Sequence, residues 1–184
     1  MFYTREKKER ALGVKLLLKG DRCSSPKCAM VRRGTKPGVH GQSRRRRNMS
    51  EYGEQLKEMQ KFKFTYGLRA ASLRRVFVRA SKNPGVTGQI FIEMLERRLD
   101  SALFRMGFAT SRAIGRQLVS HGHVLVNGRR VDVPSYEVKK GDVISFREQA
   151  KAHPLLQAAA KRLKEYEPPA WLKADPEKLE GTVL

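Results

Sequence analysis

Two arginines one helical turn apart, Arg112 and Arg116, and two more beside a tight turn, Arg129 and Arg130, are the residues best suited to engage a partner. A guanidinium is a planar fork that bridges two phosphate oxygens, and its face stacks on a splayed base. The chemistry on offer is recognition of a polyanion, not bond making. His121 and His123 lie between the two pairs and flank Gly122. Two roles are open to these imidazoles: a hydrogen bond to a phosphate or ribose hydroxyl, or packing against neighbouring strands.

The elements that must position these groups follow from local pattern. Ser111 is the expected N-cap of a helix, its hydroxyl accepting from an orphan N–H of the first turn. Ile114, Leu118 and Val119 fall near one face at helical spacing, with Arg112 and Arg116 on another. Gly122 supplies the left-handed stop. Val124, Val126 and Val131 then alternate around Asn127-Gly128, the strongest short signal for a hairpin turn. The stretch from Ser111 to Val133 thus reads as a helix–strand–turn–strand unit with arginines at both ends.

The totals agree. Among 184 residues, 39 are Lys or Arg and 18 are Asp or Glu, a formal charge of +21. Such an excess destabilises an isolated compact chain by self-repulsion and suits a nucleic-acid partner. There is no long uncharged apolar run and no secretory pattern, so a membrane is not the expected anion. Two cysteines do not make a disulfide scaffold. The expected compartment is the cytoplasm, or an organelle with a reducing interior.

Composition divides the chain into three and predicts an α+β fold. Residues 1–48, rich in Gly, Pro, Lys and Arg, are expected to form a basic extended arm that orders on binding. Residues 49–96 predict a helical domain. One helix runs from the N-cap Ser50 to Gly67, with Leu56, Met59 and Phe62 toward a core. A second carries Leu73, Val76, Phe77 and Ala80 and ends at Asn83-Pro84-Gly85. Residues 97–184 predict a helix-plus-small-antiparallel-sheet domain, its core at 97–147, with a helical and acidic tail. A single helix is expected from Gly88 to Met106 and another from Ala150 to Tyr166, ended by Pro168-Pro169. Between them, Lys140-Gly141-Asp142 turns Val138 into the strand Val143–Phe146. Trp171 is expected to pack the tail down. The end at Leu184 shows no obvious terminal element, as in a fragment or the ordered part of a longer protein.

The order of motifs is familiar. RMGF, then SRAIGRQLVSHGHVLVNGRRVDVPSY, then VKKGDVI, between Arg97 and Phe146, resembles the small RNA-binding domain first described in the fourth protein of the small ribosomal subunit. That domain also occurs in pseudouridine synthases and tyrosyl-tRNA synthetases, so the flanks decide. RCSSPKCAMVRRGTKPGVHGQ (Arg22 to Gln42), QLKEMQKFKFTYGL (Gln55 to Leu68) and NPGVTGQIFIEMLERRLD (Asn83 to Asp100) resemble the bacterial or organellar family of that ribosomal protein itself. The resemblance implies a structural, non-enzymatic constituent of the small subunit. It implies early binding to the 5′ domain of small-subunit ribosomal RNA at a junction of helices, and a nucleating role in assembly. It also implies contact with the fifth protein of the subunit, a place near the mRNA entry channel and an influence on decoding accuracy. Some members repress their own messenger.

The candidate RNA-binding set has two parts. From the arm and the helical domain come Arg32, Arg33, Lys36 and His40, the run Arg44, Arg45, Arg46 and Arg47, then Lys61, Lys63 and Arg69. Glycine and proline in the arm permit a path that no helix could follow. From the last domain come Arg98, Ser111, Arg112, Arg116, Gln117, His121, His123, Asn127, Arg129, Arg130 and Lys139.

Cys23 and Cys28 form C-x4-C. Family members that hold zinc carry an earlier C-x-x-C pair, and here Glu6 and Glu9 stand about where it would fall. His40 and a carboxylate are conceivable substitutes, but structural zinc is nearly always held by a full set of Cys and His. No cofactor is therefore expected.

Catalytic patterns are missing from the sequence. Gly85-Val-Thr-Gly88 is too short for a phosphate-binding loop and lacks its lysine, and neither HExxH nor G-x-S-x-G occurs. Two rival classes are an RNA-modifying or tRNA-charging enzyme carrying the same module, and a DNA-binding helix-turn-helix protein. The first needs a catalytic domain for which the rest of the chain is short and plain. The second needs a supported recognition helix where Gly122 leads into strands. Neither an enzyme nor a DNA partner is expected.

Overall fold

The computed structural model describes residues 5–42, 49–163 and 165–184. The chain divides into two compact units, Met1–Leu73 and Arg74–Leu184.

In the first unit, helices α1 (Arg5–Leu12), α2 (Asp21–Ser24) and α3 (Ala29–Arg32) and a short 3-10 helix (Val39–Gln42) precede the longer α4 (Glu51–Thr65). The extended path expected for the arm is thus corrected over these residues. Three short helices gather around Leu12, Cys23, Cys28 and the carboxylate of Glu9, all buried. Glu9 Oε1 accepts the N–H groups of Leu16 (2.9 Å) and Leu18 (3.3 Å), closing the turn after α1. Sparse apolar periodicity hid this knot, because its centre is a buried acid. Ser50 caps α4 as expected, its hydroxyl accepting from Gly53 N–H at 3.2 Å. Gly67, with φ +62°, ends it. Met59 and Phe62 are exposed, not in a core.

Helix α5 (Ala70–Ser81) spans the division between the units and buries Leu73 and Ala80. In the second unit, the single helix expected from Gly88 to Met106 is two, α6 (Thr87–Glu96) and α7 (Leu99–Arg105). The break has a backbone cause. Arg98 is extended (φ −67°, ψ +138°) and bridges Glu137. Leu99 N–H donates to Tyr136 O, and Val138 N–H to Arg97 O, both at 2.8 Å. Pairing with the 136–138 segment replaces helical bonds at that point.

Helix α8 (Arg112–Ser120) leads into β1 (Val124–Val126), β2 (Arg129–Arg130) and β3 (Val143–Phe146). The helix expected from Ala150 to Tyr166 is also two, α9 (Glu148–Lys151) and α10 (Pro154–Leu163). Pro154 has no N–H to donate backward, so α10 starts there. The tail is not plain either. Strands β4 (Leu172–Asp175) and β5 (Glu180–Val183) form a hairpin, and β5 pairs with β3. The antiparallel sheet has five strands in the order β2-β1-β3-β5-β4.

One face of this sheet and helices α7, α8 and α10 enclose the core: Leu99, Leu103, Met106, Phe108, Leu118, Val119, Val124, Ile144, Phe146 and Leu156 among others. Phe108 and Phe146 meet edge to face at 5.2 Å. Trp171 is partly buried against this core, as expected.

Candidate nucleic-acid interface

Helix α8 begins as its sequence demands. Ser111 is extended, and its hydroxyl accepts from Ile114 N–H at 3.4 Å. Leu118 and Val119 are buried. Gly115 faces α7 so closely that a Cβ would lie 2.7 Å from Asp100 O.

The arginines of this region are organised by two acids. Asp100, buried, accepts two bonds from Arg98 (3.1 and 2.9 Å) and two from Arg116 (3.1 and 2.6 Å). Glu96 accepts two from Arg105 (both 2.8 Å) and one from Arg112 (2.9 Å). Arg112 also lies over the Phe104 ring, 4.7 Å from its centroid. Its side chain is 12% exposed and that of Arg116 35%. Four guanidinium groups share two carboxylates, so the network holds its arginines rigidly and still presents net positive charge. Arg98, Arg112 and Arg116 were expected on a basic face; each is anchored to a carboxylate of its own chain.

The hairpin end is more open. Asn127 (φ +51°) and Gly128 (φ +76°) form the turn, both in the left-handed region that a two-residue hairpin requires. Asn127 is committed internally: its Nδ2 donates to Asp142 Oδ1 and its Oδ1 accepts from Val143 N–H, both at 2.9 Å. Asp142 Oδ2 accepts from the backbone N–H of Lys139 at 2.7 Å. Arg129, Arg130, Gln117, His121 and Lys139 are exposed.

At the end of α8, Gly122 (φ +70°) donates to Val119 O at 2.8 Å and His123 N–H donates to Leu118 O at 3.1 Å, closing the helix. His121 and His123 rings lie 5.9 Å apart, and His123 and His153 rings 6.0 Å apart. Burial lowers the pKa of His123, and His121, His153, Arg147 and Arg130 lower it further. Arg147 and His153 belong to this cluster but were not singled out from sequence. The His153-Pro154 pair was the available signal, since a proline at that point breaks the helix and leaves the preceding side chain at its end.

In the first unit, Arg32, Arg33, Lys36, His40 and Arg69 are exposed. Lys61 pairs with Glu58. Lys63 and Lys8 both sit over the Phe64 ring, with Nζ 4.8 and 4.6 Å from its centroid. Partial burial lowers the pKa of Lys8, and so do Lys63 and Arg5 beside it. Lys8 was not anticipated. The run Arg44, Arg45, Arg46 and Arg47 lies outside the described residues.

Cys23 and Cys28 are buried free thiols. Among the described residues, no three His, Cys, Asp or Glu side chains gather where an ion could be held. Burial raises the pKa of Cys23, partly opposed by the Lys19 N–H that donates to its sulfur at 3.3 Å.

A helix whose end and following hairpin carry cationic groups, on a small antiparallel sheet, defines an RNA-binding module of the helix-plus-hairpin class. Comparison with known proteins makes this particular. Residues 3–96 match the family model described as ribosomal protein S4/S9 N-terminal domain, and residues 97–144 that of the S4 domain. The small ribosomal subunit protein uS4 of Gloeobacter violaceus is 51% identical over 174 residues, covering 95% of this chain and 82% of its own. Its counterpart in Thermus thermophilus is 49% identical over 175 residues, covering 95% and 83%. That of Pelotomaculum thermopropionicum is 48% identical over 174 residues, again covering 95% and 83%. The chain belongs to the uS4 family of small ribosomal subunit proteins.

Proposed function

We propose that this chain is a structural constituent of the small ribosomal subunit that binds the 5′ domain of small-subunit ribosomal RNA at a junction of helices. It acts without turnover, by clamping phosphates of converging helices and fixing their angles, and so nucleates assembly. One observation carries the reading. The carboxylates nearest α8 are already engaged by Arg98, Arg105, Arg112 and Arg116, while the hairpin presents Arg129 and Arg130 at an exposed end of the sheet. Phosphates supply the missing charge, and displaced counterions contribute to affinity.

The finer partners belong to the same reading: the fifth protein of the subunit, mRNA near its entry channel, and an influence on decoding accuracy. The place of action is the ribosome, of the cytoplasm or of an organelle. The fold of the first unit is read as metal-free, with the Glu9 carboxylate holding the turn after α1 through the N–H groups of Leu16 and Leu18. Cross-linking from intact cells with sequencing of the bound RNA tests the core of the proposal. One dominant cluster in the 5′ region of small-subunit ribosomal RNA is expected. A spread over unrelated transcripts, or a modified nucleoside produced on incubation, overturns it.

A further inference from the structure

The cluster at the end of α8 has a property that the arginine anchors lack. Three imidazoles and two guanidinium groups converge from four elements: His121 and His123 after α8, Arg130 on β2, Arg147 at the start of α9, and His153 before α10. The placement is rigid. His123 is held on both sides of its backbone, its N–H donating to Leu118 O and its C=O accepting from Arg147 N–H at 3.0 Å. Arg130 packs its guanidinium across Gly122, the residue that separates the two histidines in sequence. His153 Nδ1 accepts from Leu155 N–H at 3.2 Å, so its neutral ring carries the proton on Nε2 and remains a donor. Glu148, next to Arg147 in sequence, is paired with Lys151 at 2.7 Å.

The groups that bear on His123 are all basic. Gathering groups of one sign costs free energy in the isolated chain. A phosphate set among them reverses the balance: protonating His123 then adds an attraction instead of a repulsion. Binding must therefore be accompanied by proton uptake.

We propose that His121, His123 and His153, with Arg130 and Arg147, form one phosphate site whose grip on RNA is proton-linked. The proposal rests on the RNA-binding reading above and adds to it a regulation of the site. Acidification strengthens RNA binding through His123, while Arg130 and Arg147 supply donors at every pH.

The test measures affinity of the whole chain for a transcript of the 5′ domain at constant ionic strength, from about pH 7.5 down to about pH 5.5, where unperturbed histidine titrates. The wild type is compared with the double variant His121→Asn/His123→Asn, each checked for folding by circular dichroism. An imidazole whose pKa is about one unit higher in the complex is worth at most about tenfold in affinity, so the wild type is expected to gain up to about tenfold across this range and the variant less than about threefold. Parallel profiles overturn the proton linkage while leaving RNA binding intact. Absence of wild-type binding at any pH overturns the RNA-binding reading, and this proposal with it. A second measurement avoids variants. NMR titration of the wild-type imidazoles is expected to show the His123 pKa about one unit or more higher in the RNA complex than in the free chain. An unchanged value overturns the proposal. Inorganic phosphate in place of RNA serves as the further arm: an equal rise with phosphate alone marks a general anion site and overturns the assignment to RNA.

Discussion

The Arg130 guanidinium lies directly over Gly122. A Cβ on that glycine would fall 2.4 Å from both Nε and Nη2 of the arginine. The helix stop and the placement of a phosphate-binding group therefore share one missing side chain. Gly122→Ala is expected to lower stability by about 1–2 kcal/mol, the cost of a left-handed non-glycine residue, and to weaken RNA binding by displacing Arg130. Gly128→Ala is the comparison: its φ is also positive, at +76°, but nothing lies within 4 Å of its Cβ. It is expected to cost stability alone. Urea denaturation and filter binding separate the two effects.

Asp100 serves Arg98 and Arg116 from a buried position. Asp100→Ala leaves Arg98 with an uncompensated charge and is expected to destabilise by about 3–5 kcal/mol. Thermal unfolding measures it; a change below about 1 kcal/mol, the worth of an exposed pair, contradicts the structural role.

The anchored and open arginines are expected to respond differently to salt. Arg129→Ala and Arg130→Ala should each reduce the slope of log affinity against log salt by about one, with folding stability nearly unchanged. Arg112→Ala should act first on stability, because its guanidinium is held between Glu96 and Phe104. A salt titration beside a urea curve for each variant checks this ordering.

The pKa of His123 lies below its ordinary value in the folded chain. As pH falls below about 6.5 the unfolded chain takes up this proton before the folded one does. Stability is thus expected to fall with acidification through that window, and His123→Asn is expected to reduce the fall. Urea midpoints at several pH values for both proteins give the measurement.

Chelator is expected to leave the unfolding of the first unit unchanged. Glu9→Ala is expected to cost about 2–4 kcal/mol, because two backbone N–H groups lose a buried acceptor. A midpoint that drops with chelator and recovers with zinc contradicts the metal-free reading.

Much of the second unit was legible because its signals are local. Ser111, Gly122 and Asn127-Gly128 each dictate a backbone conformation, and the structure has all three. What was missed depends on distant partners. The break at Arg98 exists because residues 136–138 pair there, and no helical pattern within Gly88–Met106 announces it. The β4–β5 hairpin lies in a charged tail whose strands find their place only beside β3. Likewise the arginine positions were readable, but not their acids: Glu96 ends α6 and Asp100 lies in α7, and only the fold that brings both positions beside α8 pairs them with Arg112 and Arg116.

The strand order also bears on how the molecule is made. A nascent polypeptide leaves the synthetic machinery from its amino end, so β3 emerges while β5, which covers its outer edge, is still to come. Until then β3 offers unsatisfied backbone groups to any extended neighbour. That edge stays open until the last hairpin arrives, so covering it is the final step in building the sheet.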